Sequence, residues 1–379
     1  MRVRNGRPAV WFSACAAAAL ALLGVAPGSA GAAARTVSKS ASSACTSSIV
    51  PGPTQNPPTA ATTSGTGGVQ LPQDEAAHQD PQEWWYFSGH LWGTDSAGHV
   101  HCYGFEYVTF QFLAIAPQPV YFGDFAVTDL TNGTFHYADQ QDSYPVPTTT
   151  NSFALHTGDW TMSGGSGSDK LHADIPGYTL DLKLQTTKSA ALHGVNGVIP
   201  YGPLGTSDYY SWTSLLSGGT IVDHGVTVNV AGISWMDHQW GSFNFASGAG
   251  WDWFAVQLTN GQQYMLYYIR DTTGAIVQTL GTQIGAGGKT TNLDPSTLSD
   301  TPTGSWTSPS TGITYGSGWT VKVPGGSLTI SPDQVNQELN LLATQGVAYW
   351  EGDVSVHGTV NGSAVSGVGY TEINPPAGP

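Results

Sequence analysis

The run Ser-Trp-Met-Asp-His-Gln-Trp-Gly-Ser at 234–242 sets an acid and an imidazole, Asp237 and His238, between two indoles, Trp235 and Trp240. Only 10% of the chain is charged, so this is a local concentration of ionisable groups in apolar surroundings. The residue types suit acid-catalysed addition to an alkene. A carboxylic acid in an apolar pocket stays protonated, because desolvation disfavours its anion. An indole face stabilises a cation above it. A histidine positions or activates water. The competing reading is a polar knot. In it Asp237 caps backbone N–H groups or pairs with Arg270, His238 is a satisfied core histidine, and the indoles are core.

Other candidates repeat the theme. Glu83 precedes Trp84, Trp85, Tyr86 and Phe87, and reads as a strand-entry acid, a pocket carboxylate or a partner for Arg270. Past residue 40 Arg270 is the only arginine, which suits compensation of a buried carboxylate or contact with substrate. Tyr209 or Tyr210 could line a pocket or a sheet face. Glu351, after Trp350, fits a hydrogen-bond acceptor that closes a barrel better than a catalyst. His99 and His101 could form a metal pair only with a third ligand such as His90 or Glu106; the spacing is common by chance, and we expect no metal. There is no nucleophile elbow, P-loop or dinucleotide fingerprint.

These residues need elements to position them. Arg2, Arg4 and Arg7 precede an apolar, Ala-rich run from about 9 to 26, with small residues before Ala32 and Ala34. This predicts a signal peptide over 1–34, a secreted protein and no membrane-spanning segment after its removal. The remainder keeps eight Lys and Arg against 26 Asp and Glu. Such an acidic chain does not suit nucleic acid or anionic membranes. Cys45 and Cys102 could pair in an oxidising compartment. Residues 35–70 are Ser, Thr, Pro, Ala and Gly with few large apolar side chains, which predicts a disordered arm.

From 84 onward the pattern is all-β. In 178–186 Leu180, Leu182 and Leu184 share one face and Asp181 and Lys183 the other. Residues 251–280 read as three strands joined at Asn260-Gly261 and Thr273-Gly274. Strand alternation through 232–240 sends Ser234, Met236, His238 and Trp240 to one face and Trp235, Asp237 and Gln239 to the other. Two aromatic openings, at 83–91 and 250–258, each lead into a long meander, so two similar barrels are expected, over 71–240 and 241–379, with the 234–242 motif at their junction.

The motifs EWWYFSGHL (83–91), SDYYSW (207–212), SWMDHQWGS (234–242), GWDWFAVQLTNGQQYMLYYIR (250–270) and YWEGDVSVHG (349–358), followed by GYTEI, occur in this order. Together they resemble the carotenoid 1,2-hydratase family, whose relatives are often described as predicted secreted hydrolases. The resemblance covers about 70–375. It implies two lipocalin-like antiparallel β-barrels, no cofactor, and roles for His238 and Trp240. The family's tyrosine would be supplied by Tyr267 or Tyr268. Its following aspartate has no in-register counterpart: Ile269 holds the most plausible slot and Asp271 lies at the strand end.

The resulting expectation is a cofactor-free enzyme working on a polyene or terpenoid-like substrate by hydration, isomerisation or cyclisation in an apolar pocket between the barrels. His238, Trp240, Asp237 and Tyr267 are the expected catalytic groups. Glu83, Trp85, Tyr210, Tyr268 and Arg270 are the expected substrate contacts. The alternatives are a lipocalin-like carrier of an apolar metabolite or lipid and, more weakly, a hydrolase.

Overall fold

The computed structural model describes residues 67–113, 115–243 and 248–376. The expected signal peptide and all of the expected arm up to residue 66 lie outside the described residues. The end of the arm is fixed, contrary to expectation. Val69 is buried in a core, and its N–H bonds to the Asn196 carbonyl at 2.9 Å.

The first sheet has 12 strands. They are β1 (Gln82–Thr94), β2 (Val100–Phe112), β3 (Val120–Asp129), β4 (Thr134–Ser143), β5 (Phe153–Thr157), β6 (Trp160–Gly165), β7 (Ser168–Ile175), β8 (Tyr178–Thr186), β9 (Ala191–Leu192), β10 (Val198–Pro200), β11 (Gly205–Asp223) and β12 (Val226–Phe243). Their spatial order is β4-β3-β2-β1-β12-β11-β8-β7-β6-β5, with β9 and β10 added on β11. The outermost strands, β4 and β5, touch, so the sheet curls into a nearly closed, lipocalin-like barrel.

The second sheet has 10 strands. Its part of the chain comprises β13 (Gly250–Leu258), β14 (Gln263–Arg270), β15 (Ile276–Ile284), β16 (Thr290–Asn292), β17 (Ser299–Pro302), β18 (Ser305–Thr307), β19 (Thr314–Gly316), β20 (Trp319–Val323), β21 (Gly326–Pro332), β22 (Glu338–Leu341), β23 (Val347–Val360) and β24 (Ser363–Asn374). The order is β16-β15-β14-β13-β24-β23-β21-β20-β17, with β22 on β23; β18 and β19 form a separate hairpin.

The two meanders share one plan. β1 lies between β2 and β12, and β13 lies between β14 and β24. The hairpin turns fall where Asn260-Gly261 and Thr273-Gly274 predict them, with φ of 81° at Gly261 and 83° at Gly274, a region that favours glycine. No described helix is long and apolar enough to cross a membrane. Cys102 is disulfide-bonded, and the chain's other cysteines lie outside the described residues.

Three cores result. One fills the first barrel and includes Trp85, Phe87, Tyr210, Met236 and Trp240. A second fills the other sheet and includes Phe254, Tyr268 and Trp350. A third lies between the sheets and takes the alternate residues of the same strands: Tyr86, Tyr209, Trp235, Trp253 and Tyr267. The central strands are therefore buried on both faces, which explains why their sequences are aromatic throughout. Contact between the sheets is close. A Cβ on Gly104 would come within 2.6 Å of Asp353 Oδ2 across the interface.

Candidate functional site

β12 distributes the residues of 234–242 as alternation requires, and its two faces meet different surroundings. His238 and Trp240 point into the first barrel. There His238 Nε2 lies 2.7 Å from Glu83 Oε1, and Nδ1 lies 3.2 Å from the Tyr210 hydroxyl. His78, on the loop before β1, brings Nδ1 to 2.7 Å from the same Glu83 oxygen. Gln111 and the His78 backbone N–H donate to Glu83 Oε2 at 3.0 and 2.8 Å. His78 stacks on Trp240 at 4.1 Å, and Trp85 stacks on His238 at 4.5 Å. The Tyr210 hydroxyl in turn reaches Glu75 Oε2 at 2.9 Å.

Charge in this knot follows from its contacts. Burial pushes Glu83 up, but bonds and charges from His238 and His78 outweigh it and hold the carboxyl below its ordinary value. Burial pulls His78 down, but Asp74 and Glu83 raise it to about 9. Burial lowers His238, and Glu83 offsets only part of that. The knot is thus a His78–Glu83 ion pair with a neutral His238, whose Nε2–H donates to the carboxylate. Glu75 is raised to about 7, chiefly by burial.

His78, Glu83 and His238 form the only cluster of metal-ligating groups found among the described residues, with ligand atoms within 4.8 Å of one another. Both imidazole nitrogens already address one carboxylate oxygen, so the geometry is that of a hydrogen-bonded ion pair. The histidines considered as a metal pair go elsewhere. His99 and His101 share Asp95, and His90 pairs with Asp353 at 2.7 Å.

The opposite face of β12 meets the second sheet, and there the molecule opens. A cleft of about 490 Å³ is lined by Phe110, Phe112 and Phe122 from the first sheet and by Trp251, Leu342, Val347, Tyr349 and Glu372 from the second part of the chain. A narrow inner chamber of about 40 Å³ lies deeper, lined by Tyr209, Asp237, Gln239, Trp253 and Tyr267 among others. Phe110, Trp251 and Glu372 belong to both spaces.

The acids here are unlike Glu83. Asp237 accepts from the Tyr209 hydroxyl and Trp235 Nε1, each at 2.6 Å, and from Ser211 Oγ. Burial nevertheless raises it to about 7. Glu372 is half-buried. Burial raises it to about 8, a Trp251 hydrogen bond opposes this, and Asp237 and Asp124 push it further up. Asp124, at the outer cleft, is raised to about 7 by burial against bonds from Gln345 and Tyr349. Deeper in the interface Glu351 accepts from Tyr86 at 2.8 Å and is raised well above its ordinary value by burial. Among the described residues no lysine, arginine or histidine lines either chamber.

Several expected positions change. The pocket expected beside His238 and Trp240 lies on the Asp237 side, because the first barrel's interior is filled by aromatic rings. Trp85 and Tyr210 belong to that interior, and Glu83 is fully buried between two histidines instead of facing substrate. Tyr268 packs inside the second sheet, while Tyr267 faces the inner chamber and lies 2.6 Å from the Tyr201 hydroxyl. Arg270 pairs with Asp252 at 2.5 Å and Asp300 at 2.8 Å, away from both Asp237 and Glu83.

Three residues escaped the sequence reading. Glu372 lies within the quoted GYTEI motif, opposite Trp253 on β13 and Glu351 on β23. Its alternation with Tyr370 was the available signal. Glu75 ends a short 3-10 helix, Gln73–Glu75, and His78 lies on the loop that follows, neither with a periodicity to direct it.

The model of the AttH-like family matches residues 62–375. The chain belongs to the AttH-like family. This is the family, carotenoid hydratase-like, to which the motif order pointed. A solved AttH-type protein from Nitrosomonas europaea is 27% identical, with a TM-score of 0.74 over 84% of this chain and 99% of that one. Kievitone hydratase from Nectria haematococca shares the fold at 19% identity, with a TM-score of 0.68 over 84% of this chain and 96% of its own. CghA is more distant, at 12% identity and a TM-score of 0.51 over 81% and 96% of the two chains. No curated protein matches the sequence.

Proposed function

We propose that this AttH-like protein is a secreted, cofactor-free enzyme that protonates an electron-rich alkene of a hydrophobic, polyene or terpenoid-like substrate in the cleft between its sheets. Glu372 is the acid. The observation that carries the reading is its position: a carboxyl held protonated at neutral pH, at the boundary between an aromatic chamber and a small polar one. A general acid works best when its pKa lies near the operating pH. The fold shared with a hydratase agrees with this reading.

The steps balance without a redox partner. The Glu372 O–H proton passes to an alkene carbon, leaving a carbocation beside the Phe110 and Trp251 rings and a carboxylate beneath it. The inner chamber has room for one water molecule, with Asp237, Gln239 and Tyr267 to hold it. Attack by that water and loss of a proton from the resulting oxonium gives hydration, loss of a neighbouring proton gives isomerisation, and attack by a second alkene followed by loss of a proton gives cyclisation. Glu372 recovers a proton at the end of each route.

The test is incubation with a lipid extract of the source cells and mass spectrometry of bound and altered species, for the natural chain and Glu372→Gln. A product made by the natural chain and lost in the variant supports the proposal. A ligand bound but left unchanged by both proteins overturns catalysis and makes the protein a carrier.

A further inference from the structure

The cleft gathers acids without a base. Asp124 and Glu372 line it, and Asp237 and Glu351 lie behind them on β12 and β23. Glu106, on β2, is fully buried with both carboxyl oxygens unpartnered. The tyrosines of the same interface, including Tyr86, Tyr209, Tyr267 and Tyr349, are all held in the neutral form by burial. Among the described residues no cation lines the cavity, and the whole chain carries a net charge of −15. Its walls, meanwhile, include the aromatic side chains of Phe110, Phe112, Phe122 and Trp251.

We infer that the cleft binds hydrophobic ammonium ions in preference to neutral molecules of the same shape. The inference rests on the proposed function, because the ammonium ion stands in for the carbocation that Glu372 would create, and a site built for that cation binds its stable analogue tightly. Two physical terms favour it. Aromatic faces attract an organic cation where water is partly excluded. The carboxyl cluster lacks a counter-charge, and a bound cation supplies one.

The proton balance makes this measurable. Without ligand Glu372 is protonated at pH 7, since it is raised to about 8. A quaternary ammonium ion carries no proton of its own to give. Its binding ionises Glu372 and releases one proton to the solvent. Ionising Glu372 at pH 7 costs about tenfold in affinity, so affinity rises by about that factor between pH 7 and pH 8.5 and then levels. A neutral ligand releases no proton and shows no such rise.

The experiment uses the full chain and a matched pair: 1-naphthylmethyl-trimethylammonium, and 1-neopentylnaphthalene, in which carbon replaces the ammonium nitrogen. Affinity is read from tryptophan fluorescence. Proton release is read by calorimetry in two buffers of different ionisation enthalpy. The expected result is at least tenfold tighter binding of the cation at pH 8.5, with close to one proton released at pH 7. In Glu372→Gln the rise with pH and the proton release shrink to the smaller part carried by Asp124 and Asp237. Equal or weaker binding of the cation, no binding of either compound, or binding without proton release overturns the inference. The outcome is separable from the proposed function: a cation preference without turnover leaves a cation-binding protein, whereas turnover without a cation preference leaves the enzyme and removes this inference.

Discussion

On one face of β12, Glu83 is a fully buried anion closed in by two imidazoles, a glutamine amide and a backbone N–H. On the other face, burial raises Asp237 to about 7 and, across the interface, Glu372 to about 8, beside an aromatic cleft. The residues at 237 and 238 are neighbours in sequence and fall on opposite sides of this division. The lesson is that an ionisable residue in apolar surroundings acquires its role from what else reaches it. Glu83 is surrounded by partners and holds the barrel closed. Glu372 is left without a counter-charge and keeps its proton.

Substitution should separate the two faces. The largest expected change in stability comes from Glu83→Ala. It strands a charged His78 and unpairs His238, and should cost about 3–5 kcal/mol in denaturant unfolding. A loss below 1 kcal/mol would mean that the knot does not hold the barrel. Glu372→Gln should behave in the reverse way. Glutamine resembles the neutral acid, so stability at pH 7 should change by less than about 1 kcal/mol. Turnover should fall by about 10²–10⁴-fold.

The pH dependence of stability should also split. Glu372, Asp237 and Asp124 have raised folded-state values, so their contribution is complete below the unfolded carboxylate range and is lost as pH rises through about 7 to 8. Glu83 is depressed, so its contribution is present above the unfolded range and is lost as the solution becomes more acid. In thermal melts stability should therefore decline as pH rises above neutrality, with the loss from Glu83 confined to acid below the ordinary glutamate range, and Glu372→Gln should lessen only the alkaline decline. The smallest effect on turnover is expected for Tyr267→Phe. Loss of the hydroxyl that meets Tyr201 should cost about 0.5–1.5 kcal/mol in unfolding and alter turnover only through the inner chamber.

Much of this scaffold was legible in the sequence. The alternation of Leu180, Leu182 and Leu184 and the glycines at 261 and 274 predicted strands and turns that the structure contains, because both signals are local. The division of His238 from Asp237 was legible for the same reason. Which of the two faces would meet a cavity was not, since β12 is buried on both sides and its aromatic residues give no inside or outside. Glu372 and Glu83 show the same limit. Each is an acid beside aromatic residues in one dimension, and only the three-dimensional pairing of β1 with β12 and of β13 with β24 brings histidines to one and a cleft to the other.

The most direct test reads both faces in one experiment: a carboxyl-carbon NMR titration of the full chain from pH 3 to 10, with Glu372→Gln and Glu83→Gln assigning the two resonances. The account predicts that Glu372 titrates near 8 while Glu83 remains ionised through the ordinary glutamate range. A Glu372 that titrates near 4.5, as a solvent-exposed glutamate does, would contradict it.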